Sequence, residues 1–318
     1  MPASQKAAET AKKINYRLER LVPITTPFAI VLGFLLPQVF FIFRPYVMYL
    51  FGMVTLSGAL KLRAAELGSA IRKPLPILLF FAVTHVLMPV IAMSVSSLFI
   101  DNQDVVSGFV LLFAGPTAVS GFILVSIFKG DMALCLTLIL LDTLLAPIFV
   151  PGSMSILMGA KITMDMTGIV ISLLLMVAVP SIIGVTVNEA SKGKIPDAFC
   201  PFFDPVSKLA LMTVIATNAS IIAPGVRFDN PLIWRTGLIT IILIITGFFL
   251  VKLVTVAGRL KSPQDITLII SGGLKNNSAV MTIAVAFFPE AAVLPTLVSI
   301  ITQQSIAAIM GKMFTAKK

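Results

Sequence analysis

Long apolar segments alternate with short polar ones along almost the whole chain. Ten apolar segments are separated by charged residues, by Pro and Gly, or by Asn and Asp. Since about 20 apolar residues cross a bilayer as one helix, this pattern predicts an all-α membrane protein with ten transmembrane helices. The segments cover approximately residues 21–43, 45–60, 75–100, 105–128, 132–159, 166–187, 206–224, 231–257, 265–288 and 291–315.

The composition excludes a water-soluble globule. Of the 318 residues, 58% are hydrophobic and 12% are charged, whereas soluble domains carry about 25% charged residues. One histidine and two cysteines exclude a histidine-rich metal centre and a disulfide framework, so we expect no metal site and no cofactor. The net charge of +10 comes from residues at the ends of apolar segments. It therefore indicates membrane topology rather than nucleic-acid binding.

The distribution of these charges predicts the orientation of the chain. With a cytoplasmic N-terminus, most of the 24 lysines and arginines lie in cytoplasmic loops, as the positive-inside rule requires. Residues 1–20 then form a basic cytoplasmic tail, and the apolar segment that follows is too long for a signal peptide. We expect a multi-pass protein of the cell inner (cytoplasmic) membrane with both termini in the cytoplasm. The opposite side carries Arg44, Lys161, Arg227 and Arg235.

Ten spans divide into two halves, residues 21–160 and 161–318. An odd number of spans in each half inverts the second half relative to the first. The fourth span of each half contains a cluster of helix-weakening residues, Gly115–Gly121 and Ser271–Ser278. Proline removes a helix hydrogen bond and glycine weakens a helix by about 1 kcal/mol, so each cluster predicts a break near mid-membrane. The alternative is that these small residues are packing positions and kinks.

Paired broken helices are typical of transporter binding sites. The candidate substrate-binding residues therefore lie in the two clusters. They are Pro116, Thr117, Ser120, Ser271, Lys275, Asn276 and Asn277.

Two opposite charges are expected at the same depth inside the membrane. Lys275 lies eleven residues beyond Gln264, and Asp142 lies eleven residues beyond Asp131. Each is about 16 Å from the cytoplasmic end of its span, because a helix rises about 1.5 Å per residue. We predict an ion pair between Asp142 and Lys275, with Thr143 as a further ion-coupling residue. Alternatively, the two side chains face different cavities, or a protonated Asp142 caps a neighbouring backbone group.

The one histidine, His85, lies beside Met88 and Pro89 in the third span. We interpret it as a packing residue rather than a proton relay, since most polar groups within membrane spans contribute to helix association.

Short motifs follow one another in order along the whole chain. Together they resemble the bile acid:sodium symporter family. The resemblance implies two inverted five-helix repeats, a panel of helices 1, 2, 6 and 7, and a core of helices 3–5 and 8–10. It also implies that broken helices 4 and 9 cross at mid-membrane. The motifs are Phe51–Ser57, Met88–Pro89, Gly115–Gly121, Lys129–Leu134, Leu144–Pro147 and Gly273–Ala279.

The family resemblance also implies a function. The chain would be a monomeric or homodimeric carrier in the lipid bilayer. It would move a small organic anion, either a carboxylate or a bile-acid-like molecule, by alternating access. No catalytic residue is implied, and the chain is not expected to be an enzyme.

The chain departs from the sodium-coupled members of that family at the second break. By the family resemblance, sodium-coupled members usually have a glutamate at the position of Ser271 and a glutamine at the position of Lys275. A sodium site needs several hard oxygen ligands, and a lysine replaces one of them with a cation. We therefore expect a proton or no ion to be coupled to transport, with sodium as the alternative.

Other classes of membrane protein remain as alternatives. An auxin-efflux-type permease or another ten-helix carrier would share the plan of ten spans. An arsenite carrier would need a cysteine in the fourth span, whereas Cys135 opens the fifth. An intramembrane enzyme would require clustered acids or a Ser/His/Asp arrangement, and the spans offer Asp142 and His85 alone.

The topology can be tested with reporter fusions. A reporter fused after Lys161 should be external, and one fused after Lys318 should be cytoplasmic, because each span reverses the side of the following loop. Alkaline phosphatase activity and fluorescence of a fused fluorescent protein distinguish the two sides. A cytoplasmic signal after Lys161 would contradict both the topology and the inverted halves.

Overall fold

The computed structural model describes residues 25–62, 74–159, 165–224, 226 and 229–315. These residues form helices and, apart from one isolated bridge, no strands. The protein is therefore all-helical, as the apolar pattern predicts. The predicted cytoplasmic tail of residues 1–20 and the boundary between the two halves at 160 and 161 lie outside the described residues.

The chain divides into two compact units. Unit 1 comprises Met1–Ala64 and Ser172–Pro224, and unit 2 comprises Ala65–Ile171 and Gly225–Lys318.

The helices of unit 1 come from two separate parts of the chain. The first part contains α1 (Thr25–Leu35), α2 (Pro37–Phe41) and α3 (Val47–Ala59). The second part contains most of α8 (Met166–Ser191) and all of α9 (Lys194–Ile222), and α3 packs against both.

A buried carboxylate in α9 is fully engaged inside unit 1. The Ser57 hydroxyl donates a hydrogen bond of 2.8 Å to Asp204 Oδ1, and Lys61 Nζ lies 2.7 Å from Asp204 Oδ2. Asp204 belongs to a helix that begins at Lys194, twelve residues before the predicted start of this span at 206. The apolar pattern missed this first part because it contains charged residues and prolines.

Unit 2 is assembled from two parts of the chain that lie before and after the second segment of unit 1. Helices α10 and α11 pack together, and α5 packs against α4 and α7. A short 3-10 turn, Glu290–Val293, precedes the last helix. The helices of this unit are α4 (Pro74–Phe99), α5 (Gln103–Ala114), α6 (Gly121–Ile127), α7 (Met132–Met158), α10 (Pro231–Ala257), α11 (Gln264–Gly273), α12 (Asn277–Phe287) and α13 (Leu294–Thr315).

Asparagine and aspartate side chains mark where several of these helices begin. Asn102 accepts hydrogen bonds from the first backbone N–H groups of α5, Asp131 does the same for α7, and Asn230 for α10. These polar residues between apolar segments therefore cap helices, because the first N–H groups of a helix have no partner within it.

Six helical stretches within the described residues are long and apolar enough to cross a membrane. The remaining predicted spans consist of shorter helices, two of them interrupted at the predicted clusters. The six are Pro74–Phe99, Met132–Met158, Met166–Ser191, Lys194–Ile222, Pro231–Ala257 and Glu290–Thr315.

Both predicted helix breaks exist, but they are shorter than the clusters that predicted them. The first lies between Ala114 and Gly121, and Gly121 already belongs to α6. The second lies between Gly273 and Asn277, so the prediction that all of Ser271–Ser278 is non-helical was wrong. A Cβ atom on Gly273 would collide with the ring of Phe248 in α10. This glycine, the last residue of α11, therefore also permits close packing between α10 and α11.

We expect Gly273→Ala to destabilise the protein by about 1–3 kcal/mol, because the added Cβ would overlap the ring of the fully buried Phe248, which would have to shift. A suitable control is Gly152→Ala in α7, where an added Cβ meets nothing within 4 Å. Thermal unfolding in detergent should show a lower midpoint for Gly273→Ala alone. Equal midpoints for the two variants would contradict this account of the glycine.

Candidate functional site

The two helix breaks meet each other inside unit 2. Thr117 in the first break and Lys275 in the second form an antiparallel bridge. Because the breaks are embedded in apolar segments, their freed backbone groups need partners within the protein, and each break supplies them to the other. Two backbone hydrogen bonds flank the bridge, from Ala118 N to Leu274 O at 3.2 Å and from Asn276 N to Pro116 O at 2.7 Å.

The Thr117 side chain ties the first break to the end of α11. Its hydroxyl lies within hydrogen-bond distance of the Ser271 carbonyl oxygen and 3.0 Å from the Leu274 carbonyl oxygen. Thr117 is buried, so the hydroxyl satisfies carbonyl groups that α11 leaves open at its end.

Lys275 places a cationic group at the bridge. Its side chain is buried, and Nζ donates hydrogen bonds to the carbonyl oxygens of Gly115, at 2.9 Å, and Thr84, at 3.3 Å. These oxygens belong to the end of α5 and to α4. The ammonium therefore links the two breaks to a third helix.

Gln303 in α13 holds the backbone of Lys275 from the other side. Lys275 N donates to Gln303 Oε1 at 3.1 Å, and Gln303 Nε2 donates to the Lys275 carbonyl at 2.9 Å. One amide side chain thus satisfies both polar backbone groups of the residue that carries the cation.

Asp142 is bound to groups other than Lys275. Its Oδ1 lies 2.6 Å from His85 Nε2, and its Oδ2 accepts a hydrogen bond of 2.7 Å from Thr117 N. The predicted ion pair between Asp142 and Lys275 was therefore wrong for the described structure. Both carboxylate oxygens are already occupied by closer donors, and the ammonium is bound by carbonyl oxygens. Asp142 Oδ2 does cap a neighbouring backbone group, the Thr117 N–H, as one part of the alternative expected.

His85 is the residue whose role the sequence interpretation missed. It lies in a π-helical segment of α4, Ala82–Leu87, and its ring stacks on Phe149 at 4.6 Å and Phe81 at 5.5 Å between ring centroids. It does pack, as interpreted, but it also binds Asp142. Its sequence position could have indicated this contact, since His85 lies eleven residues after Pro74 and therefore at the same expected depth as Asp142 and Lys275.

The remaining predicted residues have different contacts. They lie around the crossing, the place where the two breaks meet at Thr117 and Lys275. Ser120 is exposed and accepts a hydrogen bond of 3.0 Å from Gln304 Nε2. Asn276 caps α12, and Asn277 Oδ1 accepts from the Ser299 hydroxyl at 3.1 Å. Thr143 is buried, but no hydrogen bond joins its hydroxyl to Asp142 or Lys275 within the described part of the chain.

Sequence reasoning also missed Cys135, whose Sγ lies 3.6 Å from the Ser271 hydroxyl. Within the described ranges, no group of three or more His, Cys, Asp or Glu side chains could hold a metal ion.

Comparison with known proteins identifies the family. A family model described as the Sodium Bile acid symporter family matches residues 48–224. The chain belongs to the sodium bile acid symporter family. The sequence resemblance is therefore confirmed, and this member of the family is a multi-pass membrane transporter.

Bacterial and plant proteins resemble this sodium bile acid symporter family member along most of its length. A protein named "Uncharacterized protein YbaS" from Bacillus subtilis (strain 168) is 32% identical over 92% of this chain and 96% of its own length. From the same organism, "Uncharacterized sodium-dependent transporter YocS" is 21% identical over 84% of this chain and 82% of that protein. The rice protein "Probable sodium/metabolite cotransporter BASS3, chloroplastic" (Oryza sativa subsp. japonica) is 22% identical over 98% of this chain and 72% of that protein.

Two neighbouring glutamines in α13 provide a matched test of the crossing. Gln303→Leu should lower stability by about 1–3 kcal/mol, because it leaves the buried N–H of Lys275 without a partner and removes one of the two donors to the Lys275 carbonyl oxygen, the other being Asn277 N. Gln304→Leu makes the same change one residue later, at a half-buried position, and should have a smaller effect. Thermal unfolding of the two detergent-solubilised variants measures the difference. Equal losses would show that Gln303 does not hold the second break.

Proposed function

We propose that the protein is a secondary transporter that moves a small organic anion across the cytoplasmic membrane by alternating access. In this proposal ten transmembrane helices form two inverted five-helix repeats, and both termini lie in the cytoplasm. The protein acts as a monomer or homodimer. The observation that carries the proposal is the buried Lys275 ammonium at the meeting point of two broken helices.

The way the breaks are held supports inverted repeats. In the first half, Asp142 of α7 binds the backbone of Thr117. In the second half, Gln303 of α13 binds the backbone of Lys275. Each bridging residue is thus held by a polar side chain from the last predicted span of its own half, as a duplicated and inverted unit would arrange it.

The division of the chain into units supports a panel and a core. Unit 1 contains the first, second and seventh predicted spans and most of the sixth, and unit 2 contains the others. This is the grouping that the family resemblance implies, and alternating access by movement of one group of helices against the other requires such a division.

The environment of Lys275 supports coupling that does not use the usual sodium sites. Hard cations are coordinated by carbonyl and carboxylate oxygens. Here the carbonyl oxygens of Gly115 and Thr84 are bound by an ammonium group instead. The lysine supplies from within the chain the positive charge that a bound sodium ion would bring.

The charges and helix ends of the site favour an anionic substrate. Helix α12 begins at the second break, and the N-terminus of a helix carries a partial positive charge. The Lys275 ammonium adds a full positive charge next to it. We therefore propose Pro116, Thr117, Ser120, Ser271, Lys275, Asn276 and Asn277 as the substrate-binding residues, and a small carboxylate or bile-acid-like anion as the substrate. The name of the rice relative, which describes sodium/metabolite cotransport, agrees with a small organic solute.

Sodium dependence tests this proposal directly. Uptake of radiolabelled carboxylates and taurocholate into proteoliposomes should stay the same when potassium replaces sodium. The double variant Ser271→Glu/Lys275→Gln, which introduces the glutamate and glutamine of sodium-coupled members, should make uptake depend on sodium, because it removes the internal cation and adds an anionic oxygen ligand.

Each single variant serves as a control for the double one. Wild-type uptake that rises saturably with sodium would overturn the proposed coupling. Absence of uptake for every anion tested, in well-folded protein, would overturn the proposed substrate class.

A further inference from the structure

His85 has no part in the function proposed so far, although its partner Asp142 holds the first break. Both side chains are 0% exposed, and His85 Nε2 lies 2.6 Å from Asp142 Oδ1. A histidine and a carboxylate in such contact share at least one proton, because one of the two facing atoms must be the donor. The pair is therefore a titratable unit in the middle of the apolar helices α4 and α7.

We propose that His85 and Asp142 form a proton-binding site that couples transport to proton movement, with the transported proton entering at His85 Nδ1. This inference deepens the proposed transporter function and rests on it.

The unpartnered ring nitrogen locates the transported proton. His85 Nδ1 is buried and has no hydrogen-bond partner among the described residues. With one proton on Nε2, Nδ1 carries a lone pair and needs no acceptor. A second proton, taken up from water, would create a buried N–H without an acceptor, which is costly. The described conformation is thus the form with a single proton, and the doubly protonated imidazolium requires Nδ1 to reach water or another acceptor.

The Asp142 carboxylate connects the proton site to the helix crossing. Its other oxygen accepts the Thr117 N–H, and Thr117 forms the bridge with Lys275. A change of charge on His85 therefore acts on the same carboxylate that holds the first break. Protonation and the geometry of the substrate site are linked through one side chain.

The local charge balance explains why proton and anion would move together. The carboxylate of Asp142 and the ammonium of Lys275 cancel while His85 is neutral. Lys275 Nζ also contacts the carbonyl oxygen of Thr84, the residue before His85. A second proton on His85 gives the cluster a net positive charge inside an apolar environment. An anion arriving at the crossing restores neutrality, so proton binding favours anion binding.

Other titratable groups on the surrounding helices are engaged elsewhere. On α10 and α11, Lys252 Nζ lies 3.4 Å from Asp265 Oδ2. Cys135 on α7 faces Ser271, and Asp104 lies in the first turn of α5. Helix α4 itself contains no titratable side chain besides His85.

The backbone of α4 also changes at this site. His85 lies in the π-helical segment Ala82–Leu87. Single π-helical turns within α-helices occur frequently at functional sites, and the wider turn is consistent with a ring that must change its surroundings during transport.

The single histidine of the chain makes this site directly observable. The full-length protein, purified with a tag that contains no histidine, is labelled with ¹⁵N and ¹³C histidine and placed in lipid nanodiscs. All histidine signals then arise from His85. Nuclear magnetic resonance should show the neutral ring with its proton on Nε2 at about pH 8 and conversion to imidazolium on acidification.

Asp142→Asn should move the ¹H and ¹⁵N signals of Nε2, because a neutral amide replaces the carboxylate that faces this nitrogen. Asp265→Asn removes another buried carboxylate of unit 2 and should leave these signals unchanged. A ring that stays neutral from about pH 8.5 to 4.5, or Nε2 signals that do not respond to Asp142→Asn, would overturn the proton site.

Transport measurements then separate coupling from transport itself. Counterflow of radiolabelled carboxylates without a pH gradient tests the proposed transporter function alone. With an acidic outside, one coupled proton should raise accumulation by up to about tenfold per pH unit, and in His85→Gln this stimulation should fall to about onefold. Counterflow without any stimulation in the wild type would overturn the coupling and leave the transporter proposal intact. Absence of counterflow would overturn the transporter proposal, and the coupling with it.

Discussion

Backbone groups that leave a helix inside an apolar layer must find partners in the protein, and this constraint organises unit 2. Two helices end at Ala114 and Gly273, and the residues beyond them bind one another. Side chains from α7 and α13 satisfy the groups that the bridge leaves open. The crossing is therefore a short piece of sheet-like pairing enclosed by helices, and the surrounding polar residues can be understood from what it requires.

The charged residues at the crossing follow from the same constraint. A buried ammonium is tolerated because carbonyl oxygens at the end of α5 and in α4 surround it, and a buried carboxylate is tolerated because an N–H group and an imidazole bind it. Each charge is stabilised by dipoles rather than by a direct ion pair, which in a low dielectric would bind the two groups tightly to each other. Separate partners leave each charge able to change its surroundings without breaking a salt bridge.

The sequence predicts the helices and both breaks well, because apolar length and Pro or Gly clusters act locally. The contacts of Asp142 could not be predicted in the same way. Depth along a helix indicates that Asp142, Lys275 and His85 lie at one level, but it does not fix the direction in which each side chain points. To predict that Asp142 contacts His85 rather than Lys275, one must know how α4 and α7 are rotated about their axes. Periodicity alone does not determine these rotations in helices that are apolar on all sides.

The packing roles of two glycines could not be predicted for the same reason. Gly115 follows directly after the end of α5 and Gly273 is the last residue of α11, and an added Cβ would collide with Val280 at the first and with Phe248 at the second. A local pattern assigns both to helix breaks, since it records a weak helix former without recording what lies opposite.

A second attachment between α7 and α11 limits how this part of the molecule can move. The Thr267 hydroxyl lies 2.7 Å from Asp131 N and 3.1 Å from Asp131 O, and an added Cβ on the preceding Gly130 would lie 2.7 Å from that hydroxyl. Helix α11 is thus fastened to the first half of the chain near its beginning as well as beyond its end. The contacts at the two ends restrain α11 against the first half of the chain.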